Sequence, residues 1–375
     1  MSAIQVIAES QMTVLLNQLG DAAVVRAPLL SDTPLCRLNL SGRQVGVEQI
    51  IASREYATAL SEAYAQMENT AAMQNTLDPD TLADDLKREL PNYNRLRDAF
   101  RQAGVVEPSN LSEIRSRLQE AQQSNPARGG DVYYFAFDNN ILRNRLYSLY
   151  LKPQQRHAPR YNLLLSQFVR KELEMREGKI QYDFLHTFNA AYPQVGIYAI
   201  FQNQNRLNDR LRLLGIAEWN RIRESGDAEV VNAPNKTDAD GRIIEAYARF
   251  AEKAGRKVVV FSADNEFILR CSGRTNLIGQ LVDYPPVLEQ SYAVTWESVG
   301  RLLYQLAVVY GRIDVEADGV WVRLYGVWRG KKASHWEAEQ IKLTFTPSQT
   351  VQELAIERNL RILSRMNADS VQDRQ

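Results

Sequence analysis

Two cysteines, three histidines and equal numbers of acidic and basic residues leave this 375-residue chain poor in several kinds of chemistry. Cys36 and Cys271 are far apart and belong to no CxxC pair, which argues against a disulfide framework. His157, His186 and His335 are scattered too, which argues against a zinc site of cysteines and histidines. Lys plus Arg and Asp plus Glu number 45 each, so no overall basic balance points to nucleic acid, and any such surface must be local. There is no G-x-x-x-x-G-K-[ST] phosphate loop, no G-x-S-x-G elbow and no H-E-x-x-H. No apolar run approaches a membrane span, and Met1-Ser2-Ala3-Ile4-Gln5-Val6 lacks the basic and apolar regions of a leader. The expectation is a soluble, cytoplasmic protein without a membrane partner.

The length allows two or three domains. Residues 1–50 alternate short apolar runs with turn residues and could hold strands. From about 47 to 123 the periodicity is helical, with Asp78 and Asp80 before Leu82, Leu86 and Leu90, and Asn110 or Ser112 before Ile114 and Leu118. Residues 1–125 therefore read as a mainly helical accessory domain, a possible surface for a protein partner or a second copy. The polar segment Gln123 to Gly130 reads as a linker. Strands alternate with helices over residues 131–285, which predicts a three-layer α/β domain with a mainly parallel sheet. Its expected strands are 131–138, Ala228–Val231 and 257–263, with helices near 160–177, 207–224 and 242–254; Pro153, Pro159 and Pro234 mark breaks, and 180–201 is ambiguous. Residues 290–366 predict a helix behind Thr295, an antiparallel ribbon of two strands and a closing helix.

Four acidic residues stand in telling places. Asp138 ends the apolar run Val132-Tyr133-Tyr134-Phe135-Ala136-Phe137, and Asp264 closes Lys257-Val258-Val259-Val260-Phe261-Ser262-Ala263. A carboxylate at the carboxyl end of a parallel strand lies in the crevice where open α/β sheets bind ligands. Glu172 and Asp240 stand on expected helices. Four converging carboxylates would be costly without a cation, because like charges raise one another's pKa; a hard divalent metal is the natural complement. Taken singly, each acid could instead be a helix cap or a surface charge, Asp240 most of all.

These residues resemble the PIN-domain nuclease family over roughly residues 130–285. The family pattern is a strand ending in Asp-x-Asn, a helix with Glu-Leu, Asp-x-x-Ile followed by a small residue, and a strand running into Ser/Thr-x-Asp. Here it reads Asp138-Asn139-Asn140, Glu172-Leu173, Asp240-Gly241-Arg242-Ile243 with Ala246, and Ser262-Ala263-Asp264. Asn139 departs from the commoner threonine, and the stretch between Glu172 and Asp240 is long. The resemblance implies a PIN-like α/β/α fold and a Mg²⁺- or Mn²⁺-dependent nuclease with Asp138, Glu172, Asp240 and Asp264 as metal ligands and catalytic acids. It further implies support from Asn140 and Ser262, with RNA favoured over DNA because many relatives are endoribonucleases. Asp238 rivals Asp240, and Glu174 rivals Glu172; the offsets to Ile243 and Leu173 favour Asp240 and Glu172.

Arg143, Arg145, Lys152, Arg156, Arg160, Arg170 and Lys171 cluster near the acids, interleaved with Tyr147, Tyr150 and Tyr161. Cations for phosphates and rings for unpaired bases suit a single-stranded nucleic acid, while half-buried tyrosines on a basic helix face are the plainer alternative. A second group, Trp328-Arg329-Gly330-Lys331-Lys332 with His335 and Trp336, could bind a ligand or belong to a core.

Overall fold

The computed structural model describes residues 5–42, 45–74, 81–82, 85, 88–152, 162–226, 228–232, 238–253 and 255–372. Pro153, Arg156, His157, Pro159, Arg160, Tyr161, Pro234, Asp78, Asp80 and Leu86 lie outside them. The chain is mixed α/β and divides into two compact units. One comprises Met1–Val105, Glu177–Arg210 and Val287–Gln375, and the other Val106–Arg176 and Leu211–Pro286. No helix of the described residues is long and apolar enough to cross a membrane.

The α/β unit carries a five-stranded, wholly parallel sheet. Its strands are β5 (Val132–Phe137), β6 (Asn162–Ser166), β7 (Ala228–Val231), β8 (Arg256–Ser262) and β9 (Leu277–Leu281). They stand in the order β7-β6-β5-β8-β9. The first strand thus lies in the middle, and the order turns back between β5 and β8. Such a switch point opens a crevice beyond the carboxyl ends of those two strands. β5 and β8 are apolar almost throughout because helices cover both faces of a parallel sheet. Phe135, Phe137 and Phe261 stack across the pair, and Tyr247 Oη donates to the Phe137 carbonyl at 2.8 Å, tying the helix Ala239–Ala251 to the end of β5.

Two expectations change here. Asn162-Leu163-Leu164-Leu165-Ser166 is β6, not the start of a helix; the helix begins only at Gln167, capped by Ser166. A short apolar run is compatible with either state, and only pairing with β5 decides it. The helix Leu111–Gln123 is not accessory: Leu111, Ile114 and Leu118 are buried in the core of the α/β unit.

The other unit is built on an eight-stranded antiparallel sheet in the order β1-β13-β12-β11-β2-β3-β4-β10. Its strands are β1 (Gln5–Ala8), β2 (Ala22–Ala27), β3 (Thr33–Asn39), β4 (Val45–Glu48), β10 (Tyr292–Val294), β11 (Arg312–Ala317), β12 (Val320–Tyr325) and β13 (Gln340–Thr346). β2 and β13 alternate buried and exposed residues, as expected of strands with one face against a core. The helix Trp296–Tyr310 packs on β11, β12 and β4 and is buried on nearly every side. This layout corrects the division into an independent domain 1–125 and a separate extension 290–366. Strands from both ends of the chain share one sheet, and residues 177–210 belong with them, as the helices Tyr182–Ala191 and Ile197–Phe201. Alternation shows which face of a strand is buried but not which strand lies beside it.

Candidate functional site

Asp138 and Ser262 are brought side by side because Phe137 and Phe261 are register partners at the ends of β5 and β8. Asp138 is buried and caps the short helix Asn139–Arg143, its Oδ1 accepting the Asn139 amide at 2.6 Å. Its Oδ2 accepts from Ser262 Oγ at 2.8 Å and from Asn140 Nδ2 at 2.7 Å. Asn140 also donates to Ser262 Oγ at 3.1 Å and accepts the Ala263 amide at 3.0 Å, which staples the two strand ends together. Asn140 and Ser262 thus both touch the Asp138 carboxylate directly.

Ser262 Oγ accepts the Asp264 amide at 3.0 Å. The Asp264 carboxylate caps the helix Asn265–Cys271, accepting from the amides of Glu266 at 2.8 Å and Phe267 at 3.4 Å. Glu172 stands half-buried on the helix Gln167–Glu174 and accepts from Asn139 Nδ2 at 3.3 Å. Asn139 therefore joins the two acids, its backbone on Asp138 and its side chain on Glu172. The Asn139 Oδ1 atom is itself buried and has no hydrogen-bond partner among the described residues.

Asp238, not Asp240, caps the helix Ala239–Ala251, through a short bond from the Gly241 amide. A Cβ at Gly241 would begin 2.7 Å from the Asp238 carboxylate, so a larger residue there would make the capping side chain shift. Asp240 stands in the first turn and faces Arg270, whose guanidinium spans both acids, 2.9 Å from Asp238 and 3.4 Å from Asp240.

Burial raises the pKa of Asp138, opposed by the bonds from Ser262 and Asn139 and reinforced by the charges of Asp240 and Asp264. Burial likewise raises Glu172, with Asp138 and Asp240 adding to it while Asn139 and Arg143 oppose. The acids named from sequence thus feel one another's charge. Among the described residues, however, no three carboxylates gather closely enough to hold an ion between them. Asp138 and Glu172 form the inner pair, while Asp264 serves a helix end and Asp240 meets Arg270. The donor set still fits a hard cation. It offers carboxylate, amide and hydroxyl oxygens with no sulfur or imidazole, and Mg²⁺ commonly takes one or two carboxylates and otherwise water. The orphaned Asn139 oxygen beside the pair is consistent with such a group.

The expected basic cluster is divided. Arg145 is buried, with its backbone in the left-handed region at φ 58°, and Tyr147 and Tyr150 are core residues, so none of the three offers a nucleic-acid surface. Arg170 lies over the Trp219 ring at 4.9 Å and bonds Glu174 at 2.6 Å and Asn220 at 2.9 Å, which spends its charge internally. Arg143 is half-buried beside Glu172, and Lys171 is exposed. In the second candidate group Trp328, Lys331 and Trp336 are core residues, while Arg329 and Lys332 are exposed. Lys331 sits inside a box of Trp336, Trp328 and Tyr304, 3.8, 4.8 and 5.8 Å from the ring centres. Its ammonium donates to the carbonyls of Gly326 and Gln340 at 2.6 and 3.0 Å, so the chain's own lysine fills the box.

Sequence reasoning passed over Asn139 as a departure from pattern, although the residue type, a side chain with both donor and acceptor between two acids, was in view. It missed Arg270 altogether, because a contact reaching back some thirty residues leaves no local trace. No protein-family model matches the chain, and no curated protein matches it.

Proposed function

We propose that the α/β unit is a Mg²⁺- or Mn²⁺-dependent nuclease of PIN-like type that hydrolyses phosphodiester bonds of nucleic acid, RNA in the first place and internally in the strand. The observation that carries this reading is the buried Asp138 carboxylate at the switch point, fixed by Asn139, Asn140 and Ser262, linked through Asn139 to Glu172 and within reach of the charges of Asp240 and Asp264. A carboxylate so deeply placed, and so opposed by its neighbours, is better explained by a cation than by the hydrogen bonds alone. Asp138 and Glu172 would hold the ion, which would supply a water ionised for in-line attack and a counter-charge for the leaving oxygen. Asn140 and Ser262 keep Asp138 in one orientation. Asn139 keeps Glu172 facing Asp138. Asp240 and Asp264, outside the inner pair, would accept hydrogen bonds from the attacking water and align it. Attack by water directly on phosphorus would need no covalent protein intermediate.

A second reading, a PIN-like scaffold that binds nucleic acid or a protein without cutting, is favoured by the pairing of Asp240 with Arg270. Asp138→Asn keeps the shape and removes the charge. Wild type and variant would be incubated with end-labelled single-stranded RNA and DNA in Mn²⁺, Mg²⁺ or EDTA. The expected outcome is internal cleavage of RNA by wild type alone, abolished by EDTA and lowered at least a hundredfold in the variant. Equal cleavage by both proteins would sink the assignment, and binding without cleavage would favour the scaffold.

A further inference from the structure

The eight-stranded sheet buries one face against the helix Trp296–Tyr310, and its other face carries side chains of a different kind. Along β12, Val322 and Leu324 are buried in the core, so Trp321, Arg323 and Tyr325 alternate onto the opposite face. The neighbouring β13 repeats the pattern. Ile341, Leu343 and Phe345 are buried, while Lys342 and Thr344 stand directly opposite Tyr325 and Arg323. Ring, cation and ring thus follow one another down β12, with a second cation beside one ring, and all four are only half-buried.

Side-chain contacts place these groups on one surface. Lys342 Nζ lies 5.5 Å from the Tyr325 ring centre, and the guanidinium carbons of Arg312 and Arg26 lie 5.7 Å from Tyr325 and 5.9 Å from Trp321. Arg312 and Arg26 are paired with Asp314 and Glu316. Lys342 differs from them, since burial alone lowers its pKa and no carboxylate opposes the shift. Arg323 stands opposite Asp314, which Arg312 already holds, and its buried Nε has no acceptor among the described residues. We propose that this face of β12 and β13 binds a single-stranded nucleic acid, with unpaired bases stacking on Trp321 and Tyr325 and the backbone meeting Lys342 and Arg323. Flat rings accept the faces of bases that a duplex would hide, and the cations between them suit phosphates. The two rings are four residues apart on one strand, about 13 Å at the rise of a β-strand, so each takes a base of its own. The surface belongs to the antiparallel unit and uses none of the acids around Asp138, so it stands apart from the catalytic reading.

The test uses the full chain in EDTA, so that binding is read without metal-dependent turnover. Fluorescein-labelled single-stranded RNA and DNA of mixed sequence are titrated by anisotropy at several NaCl concentrations. Unlabelled duplex DNA and polyglutamate serve as competitors. Trp321→Leu and Tyr325→Leu should each weaken binding about tenfold with little change in salt dependence. Tyr325→Phe, which keeps the ring, should bind as the parent does. Lys342→Gln and Arg323→Gln should each flatten the slope of log Kd against log salt by about 0.7, the value for one lost phosphate contact on a single strand. Arg249→Gln, in the other unit and paired there with Glu245, should change neither quantity. Thermal melts matching the parent confirm folding. Parental affinity in both leucine variants would overturn base stacking here even where the charge variants lose affinity, as would a parent that binds no single strand. Duplex DNA competing as well as single strands, or polyglutamate doing so, would overturn the choice of partner. Losses as stated, with no cleavage by wild type in Mg²⁺ or Mn²⁺, would support the surface and overturn the catalytic reading alone.

Discussion

Ser262 serves three partners at once from a fully buried position: it donates to Asp138 and accepts from the Asp264 amide and from Asn140. Ser262→Ala would leave those groups without that partner. Second-layer losses of this kind typically cost about 10–100-fold in metal affinity or activity, and a buried unsatisfied donor costs about 1–3 kcal/mol. A cleavage rate and a melting temperature both near wild type would count against the network as described. A different residue-scale test concerns Arg210, wholly buried, with no hydrogen-bond acceptor on any guanidinium nitrogen among the described residues and with Glu89 at 3.7 Å. Burial outweighs the pull of Arg210 and Arg206 and pushes Glu89 up to about 7. The folded state then holds a proton that the unfolded chain, with an ordinary value of 4.5, gives up. The contribution is full below the unfolded value and is lost as pH rises through about 7. Urea titrations should show wild type losing stability across that window relative to Glu89→Gln. Parallel curves for the two proteins would refute it.

At the scale of elements, Gly326, just after β12, packs directly against the backbone of a helix. A Cβ there would lie 2.3 Å from the backbone of Ala307 and Val308 on the helix Trp296–Tyr310. The neighbour is main chain and cannot swing aside, so Gly326→Ala should cost about 1–3 kcal/mol or more. A melt unchanged from wild type would show that helix and strand end do not approach as described. Elements also show what sequence could carry. β5 and β8 were legible because an unbroken apolar run ending in an acid has few other readings, and Asp138 and Asp264 came with them. β6 was not, since Asn162 to Ser166 is too short for periodicity to distinguish strand from helix. Glu172 was nevertheless placed on a helix, because its apolar neighbours Val169 and Leu173 keep helical phase. The link through Asn139 and the pairing of Asp240 with Arg270 depend on side chains converging from separate elements, and no local pattern encodes that.

For the whole molecule, the division into two units is set by pairing between distant strands. A chain ending after Pro286 would keep every strand of the parallel sheet but lose β10 to β13, leaving β2 and β4 each with an unpaired edge. Unpaired edges template aggregation, so this truncation should be recovered mainly as insoluble protein. A soluble product with strong amide protection in β2 to β4 would contradict the layout. The pairing of Gln5 with Leu343 has a further consequence, in time rather than space. At about 5–20 residues per second on the ribosome, β1 waits on the order of tens of seconds for β13, its one neighbour among the described strands, to be made. Within that interval all strands of the parallel sheet are synthesised before β10 begins. A growing chain can therefore complete its candidate catalytic sheet while its first strand still depends on shielding by something other than itself.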